Sequence, residues 1–74
     1  MKITIKLYGV LRINRFKEEI LEYPEGTRVR DVIAELALPE KLYGAVVIND
    51  THASVEQVLK DGDVLMILPL LDGG

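Results

Sequence analysis

Lys2 to Tyr8 alternates without exception, with Ile3, Ile5 and Leu7 on one face and Lys2, Thr4, Lys6 and Tyr8 on the other. A period of two belongs to a strand buried on one face, and a chain of 74 residues must cover that face from its own length. The clear helical spacing is Val29, Val32, Ile33 and Leu36, at i, i+3, i+4 and i+7, ending before Pro39. A sheet crossed by one helix is therefore the expected frame. Thr27, after the turn Pro24-Glu25-Gly26, is placed to cap the helix.

The remaining segments fill in the sheet. Gly9 ends the first strand, residues 10–15 read as a loop, and Phe16 to Tyr23 alternates again, with Ile20 and one of Glu18 or Glu22 expected on opposite sides. The two strands form a hairpin with a long loop. Ala45-Val46-Val47-Ile48 is a β-branched strand closed by Asn49-Asp50. Val55 to Leu59 fits either a short strand or a helical turn, and Lys60-Asp61-Gly62-Asp63 is a turn by composition. Val64 to Leu68 is the last strand. This order predicts an α+β fold, a mixed sheet with one main helix packed across one face: the arrangement of a β-grasp, or ubiquitin-like, domain over residues 1–69, with residues 70–74 as a flexible C-terminal tail.

The helix hides only one face, yet the last strand is apolar on both. With Leu65 and Ile67 toward the helix, Val64, Met66 and Leu68 point outward beside Tyr8 and Val47; the reverse register also leaves an apolar set outside. An exposed patch of that kind marks a partner surface, or is covered by a dimer or an extra loop.

Composition narrows the function classes. Nine basic against twelve acidic residues give a net charge of −3, opposite to the basic footprint of a nucleic-acid binder. The chain has no Cys, so disulfides, thiolate nucleophiles and cysteine-held metals are excluded, and a reducing cytoplasm fits. The apolar run Val64 to Leu71 is too short to span a membrane and contains Pro69. A domain this small has little room for an enclosed active site, which points to a protein whose chemistry is completed elsewhere.

Such chemistry is available at the end of the sequence, Leu70-Leu71-Asp72-Gly73-Gly74. Glycine lacks a Cβ, so Gly73 and Gly74 can lie in a narrow channel, and a glycine carboxylate offers little hindrance to a nucleophile. Extended, the Pro69 to Gly74 segment carries its carboxylate roughly 15 to 20 Å beyond the strand. Pro69 restricts the exit direction.

Read together, Tyr8-Gly9-Val10-Leu11-Arg12 after the first strand, Val47-Ile48-Asn49, Leu59 with Asp61-Gly62-Asp63, and Pro69 before Gly73-Gly74 resemble the MoaD/ThiS family of sulfur carriers over essentially the whole chain. In that family the first strand is followed by an aromatic, a small residue and Leu-Arg, which favours the MoaD type, the molybdopterin synthase small subunit. The resemblance implies that the protein is a co-substrate, not an enzyme. A ubiquitin-activating-type adenylyltransferase (MoeB/ThiF-like) consumes ATP to adenylate Gly74, and a sulfur donor converts it to a thiocarboxylate. The sulfur then serves molybdopterin synthesis on a large, MoaE-like subunit, or thiazole synthase in a ThiS-like pathway. The partner-binding residues expected from the open apolar face and the tail are Tyr8, Val47, Met66, Leu68, Pro69, Leu70, Leu71, Asp72 and Gly73, and no metal or bound cofactor is expected. Family tails often carry a second proline and a small residue before Gly-Gly, where Leu70 and Asp72 stand here; this departure bears on the choice of pathway.

A ubiquitin-like modifier joined to lysines through Gly74, or a non-covalent interaction domain, would use the same frame. His52 reads as a solvated residue of the turn Asn49 to Ala53, and Asp61 and Asp63 as turn residues without the further oxygen ligands of a calcium loop. Arg12 and Arg15 are either solvated or contact an acidic partner or a nucleotide phosphate.

Overall fold

The computed structural model describes residues 1–70. Its elements are β1 (Lys2–Leu7), β2 (Glu18–Glu22), α1 (Val29–Glu35), β3 (Tyr43–Ile48), β4 (Thr51–Ala53) and β5 (Val64–Pro69), with a 3₁₀ turn at Gly9–Arg12. The strands form one sheet in the order β2-β1-β5-β3-β4. β1 runs parallel to β5 in the centre and the other pairs are antiparallel. The mixed sheet with one helix across one face is the β-grasp arrangement expected from the order of elements.

The strict alternation of β1 is used as expected. Ile3, Ile5 and Leu7 are fully buried together with Leu65 and Ile67 of β5, against Val29, Val32 and Ile33 of α1. The central position of β1 and β5 explains why these five side chains have no remaining exposure, since each is flanked by strands on both sides and covered by the helix. Val46 and Leu59 close the core from the β3 side, and Tyr23 and Leu38 from the helix side.

Four sequence expectations are corrected. The loop after β1 begins with the 3₁₀ turn, closed by Leu11 N–H to the Tyr8 carbonyl at 3.1 Å, and Leu11 is completely buried in the core. Thr27 does not cap α1. Its hydroxyl donates 2.7 Å to the Pro24 carbonyl and closes the preceding turn, while the helix starts from Arg28, whose N–H donates to the Asp31 carboxylate at 2.8 Å. Glu18, Ile20 and Glu22 share one face, because they stand opposite Lys6, Thr4 and Lys2 on the side away from the helix. Finally, the turn after β3 is only Asn49-Asp50, both at positive φ (50° and 69°), so His52 lies in β4 opposite Val47. Two consecutive left-handed residues give a tight hairpin, a conformation that Asn and Asp tolerate better than most other non-glycine residues.

Val55 to Leu59 resolves as a turn, Gln57 N–H to the Ser54 carbonyl at 3.0 Å, followed by a single bridge between Val58 and Arg28. Among the described residues no helix is long and apolar enough to cross a membrane.

Candidate functional site

The face of the sheet away from α1 is organised in rows by the strand registers. One row runs Glu18, Lys6, Met66, Val47, His52 from β2 to β4, and the next places Leu68 opposite Ala45 with Tyr8 one step beyond the Leu7–Ile67 pair. Tyr8, Val47, Met66 and Leu68, four of the residues singled out in the sequence, are therefore brought onto one face, each half-buried among its neighbours. Of the two registers open to β5, the observed one points Leu65 and Ile67 inward.

Pro69 and Leu70 lie where the chain leaves this face. Pro69 packs beside Gly9, where a Cβ would stand 3.1 Å from the proline Cγ, and Gly9 has φ +56°. Both features favour glycine there. Leu70 then donates its N–H to the Leu42 carbonyl at 2.7 Å, extending the β5–β3 ladder by one bond. β3 carries a bulge at this point, since Tyr43 opposes Pro69 and Ala45 opposes Leu68 with Gly44 between them. A Cβ on Gly44 would meet the Leu70 Cα at 2.9 Å, so a glycine is what lets the departing backbone lie so close. Gly44, Ala45, Leu68, Pro69 and Leu70 line an open apolar depression of about 420 Å³. Leu70 itself is 58% exposed. Leu71, Asp72, Gly73 and Gly74 lie outside the described residues.

Gly44, Leu42 and Ala45 were not singled out as functional residues from the sequence. The available signal was the isolated Gly44 inside a strand pattern, which marks a bulge or a close backbone approach.

The polar motifs at the other end of the sheet are structural. Asn49 Nδ2 donates to Asp63 Oδ1 at 2.9 Å, Asn49 Oδ1 accepts from Val64 N–H at 2.9 Å, and Asp63 Oδ2 accepts from Lys60 N–H at 2.8 Å. Asp61 accepts from Lys2 N–H at 2.7 Å. These bonds join the end of β3 and the starts of β1 and β5, opposite the end where the chain departs. No group of three or more His, Asp or Glu side chains able to hold a metal occurs among the described residues.

Arg15 is occupied as well. Its Nε donates 3.1 Å to the Leu36 carbonyl and its Nη2 2.9 Å to that of Ala37, covering carbonyls that the end of α1 leaves without helical partners. Arg12 instead holds the Leu7 carbonyl through Nε at 2.9 Å and lies over the Tyr8 ring, 5.6 Å from its centroid. Away from the site, burial first and then the bond it donates to Glu35 push the Tyr23 hydroxyl well above the usual tyrosine range.

A model of the ThiS family matches residues 5–74. Among solved structures, a protein of Pyrococcus furiosus assigned as molybdopterin converting factor subunit 1 is 31% identical, over 93% of this chain and 97% of its own, with a TM-score of 0.77. SAMP1 of Haloferax volcanii has the same fold at 20% identity, with both chains covered completely and a TM-score of 0.77. So does a chain of the complex of molybdopterin-converting factor subunits 1 and 2 from Helicobacter pylori, at 23% identity, full coverage of both chains and a TM-score of 0.67. With a family match over nearly its whole length and the central parallel pair, cross-sheet helix and carboxyl-end exit described above, this chain belongs to the ThiS family of MoaD/ThiS-like, ubiquitin-like proteins.

Proposed function

We propose that the protein is a sulfur carrier of molybdopterin biosynthesis whose reactive group is the carboxylate of Gly74. The observation that carries this reading is the continuity of the family match through Gly73-Gly74, directly after a strand that leads from the centre of the sheet to an exposed Leu70. The 31% identity to the Pyrococcus protein favours the molybdopterin branch over the thiazole branch.

In the proposed cycle an oxygen of the Gly74 carboxylate attacks the α-phosphorus of ATP on a MoeB/ThiF-like enzyme, and pyrophosphate leaves. A hydrosulfide supplied by the donor then attacks the acyl carbon, AMP departs with the electron pair of the broken C–O bond, and loss of the S–H proton leaves the thiocarboxylate. The resulting thiocarboxylate gives up its sulfur on a large, MoaE-like subunit, as the pairing of subunits in the Helicobacter complex suggests. Catalytic acids, bases and metals belong to these partners, and the chain contributes the tail and a docking face. In this scheme residues 1–69 form the rigid body, and Leu70, Leu71, Asp72 and Gly73 thread the partner's channel. Tyr8, Val47, Met66, Leu68 and Pro69 form the surface against which the partner closes.

The test is intact mass after incubation with the adenylating enzyme, ATP and a sulfur donor. A shift equal to one oxygen replaced by sulfur is expected, and deletion of Gly74 or extension by one residue should abolish it while the fold persists. Adenylate formed at normal speed on Gly73 after the deletion would refute tail threading. A second reading, covalent protein modification, goes with the shared fold of SAMP1, a small archaeal modifier protein. Branched peptides carrying Gly74 on target lysines would select it.

A further inference from the structure

The charges of this acidic chain are unevenly distributed. Lys2, Lys6, Arg12, Arg15 and Lys17 are five of its nine cations, and the first seventeen residues contain no carboxylate, so this segment carries +5 while the remainder carries −8. The fold gathers three of the five at one corner. Lys6, Leu7, Tyr8, Arg12, Lys17 and Glu18 line an open depression of about 240 Å³ at the β1–β2 end of the open face.

The three cations have room to bind a ligand. Arg12 is fixed by its Nε bond to the Leu7 carbonyl and by the Tyr8 ring, while its two terminal nitrogens have no hydrogen-bond partner among the described residues. Lys17 is exposed, and its carbonyl, accepting from Leu7 N–H at 2.9 Å, anchors it to the end of β1. Lys6 meets Glu18 only at 3.9 Å, the one acid in the depression. By contrast Arg28 and Arg30 are both engaged with Glu56, at 3.3 and 3.1 Å, and Arg15 is committed to the end of α1.

Two neighbours define what such a corner is for. Along the row, Lys6 stands beside Met66, so the cations form the margin of the apolar band. At its upper end, Tyr8 leads into Gly9, which packs on Pro69 where the tail departs. A guanidinium whose terminal nitrogens have no partner among the described residues, backed by two ammonium groups spread along a strand pair, fits a run of carboxylates better than one compact anion.

We propose that Lys6, Arg12 and Lys17 form a docking site for an acidic segment of the enzyme that takes up the tail, setting the register of the tail relative to the channel; this rests on the sulfur-carrier reading above. Steering of this kind acts on encounter and affinity and leaves the chemical step unchanged.

The experiment is a magnetic-resonance titration of the isotope-labelled full-length chain with hexaglutamate, alongside ATP–pyrophosphate exchange by the adenylating enzyme. The expected result is a saturable shift at Tyr8, Arg12 Nε–H and Lys17, abolished by high salt. In Arg12→Gln/Lys17→Gln it should weaken by up to about fivefold per charge, since an exposed pair contributes little more than that. Arg30→Gln should leave it intact. The double variant should raise KM for the carrier in the exchange by a similar factor at unchanged kcat, and stay folded with Tm lowered by no more than about 4–8 °C for the lost Arg12–Leu7 bond. The proposal is overturned if inorganic pyrophosphate moves these signals more strongly than hexaglutamate, if the shifts are not confined to the corner, or if KM does not change. Absence of exchange with the wild-type chain, with the peptide response intact, would sink the carrier reading and leave the acidic-segment site standing.

Discussion

Gly44→Ala separates the seat of the departing chain from the stability of the domain. The added Cβ would stand 2.9 Å from the Leu70 Cα and 3.2 Å from its Cδ1, both closer than ordinary contact, and 3.4 Å from its N. Either Leu70 moves off or β3 shifts away from β5. The first is cheaper, because Leu70 is 58% exposed and one hydrogen bond, to the Leu42 carbonyl, holds its amide. Losing it costs about 1 kcal/mol. Gly44 is not at positive φ, so alanine there also restricts the unfolded chain and returns roughly 0.4–1 kcal/mol. The global balance should lie within about 1 kcal/mol, a change in Tm of no more than about 4–8 °C for a domain of this size. Hydrogen exchange should report the difference locally: protection of the Leu70 amide falls about fivefold, while that of the core amide Ile67 tracks only the small global change. Unaltered protection at Leu70, or a fall in Tm well beyond about 10 °C, would show that the sheet yields instead and that Gly44 is not the seat of the tail.

The other expectations concern the end of α1, the buried tyrosine and the open face. Ala37 has φ +54° in a complete Schellman arrangement, with Leu38 N–H bonded to the Ile33 carbonyl and Ala37 N–H to that of Ala34. Ala37→Gly should therefore stabilise by about 0.5–1 kcal/mol, the left-handed penalty of about 1–2 kcal/mol less the entropy glycine adds to the unfolded chain, as read from the urea midpoint at constant m. Arg15→Ala removes the bonds to Leu36 and Ala37, and should destabilise by about 2 kcal/mol in the same assay, with Arg15→Lys recovering only part. The Tyr23 hydroxyl has a raised pKa in the fold, so its contribution is complete below the unfolded value near 10 and is lost as pH rises above it; Tyr23→Phe should flatten the alkaline decline of Tm relative to wild type. Leu68→Glu places a charge on the face opposite Ala45 and should weaken association with the adenylating enzyme by at least about tenfold in calorimetry, because the charge must be desolvated; unchanged affinity would remove the open face from the docking surface.

Much of the frame was legible because burial is nearly complete where the sequence is most regular. The alternation of β1 and the i, i+3, i+4 spacing of α1 mark side chains that meet in one core, and both faces of Val64 to Leu68 are apolar because one is buried and the other is the open face. Leu11 carries no mark of a core residue in the sequence, because Val10 and Ile13 beside it are equally apolar yet exposed, and its burial depends on a 3₁₀ turn lacking any periodic signature. Thr27 is a favourable cap by type, but tertiary context decided otherwise: its carbonyl accepts from Leu59 N–H at 2.9 Å and its hydroxyl faces Pro24. β4 is only three residues long, too short for a pattern, and depends on β3 for its existence. On the site, the open-face residues followed from parity alone, whereas the bulge at Gly44 required knowing which strand lies beside Leu70.

The motifs that make the sequence resemble a sulfur carrier largely serve geometry. Leu11 is core, Asn49 and Asp63 tie strand ends, and Gly9 fits against Pro69. Because β1 is parallel to β5, the carboxyl ends of both strands lie on the same side of the sheet, and the loop that follows β1 necessarily flanks the place where β5 releases the chain. The point at which the chain leaves β5 is thus set by contacts from the beginning of the sequence as well as from β3. On the proposed cycle, precision at the acyl carbon then requires only a short tether from a rigid origin, because loss of orientational freedom is what an intermolecular transfer must otherwise supply.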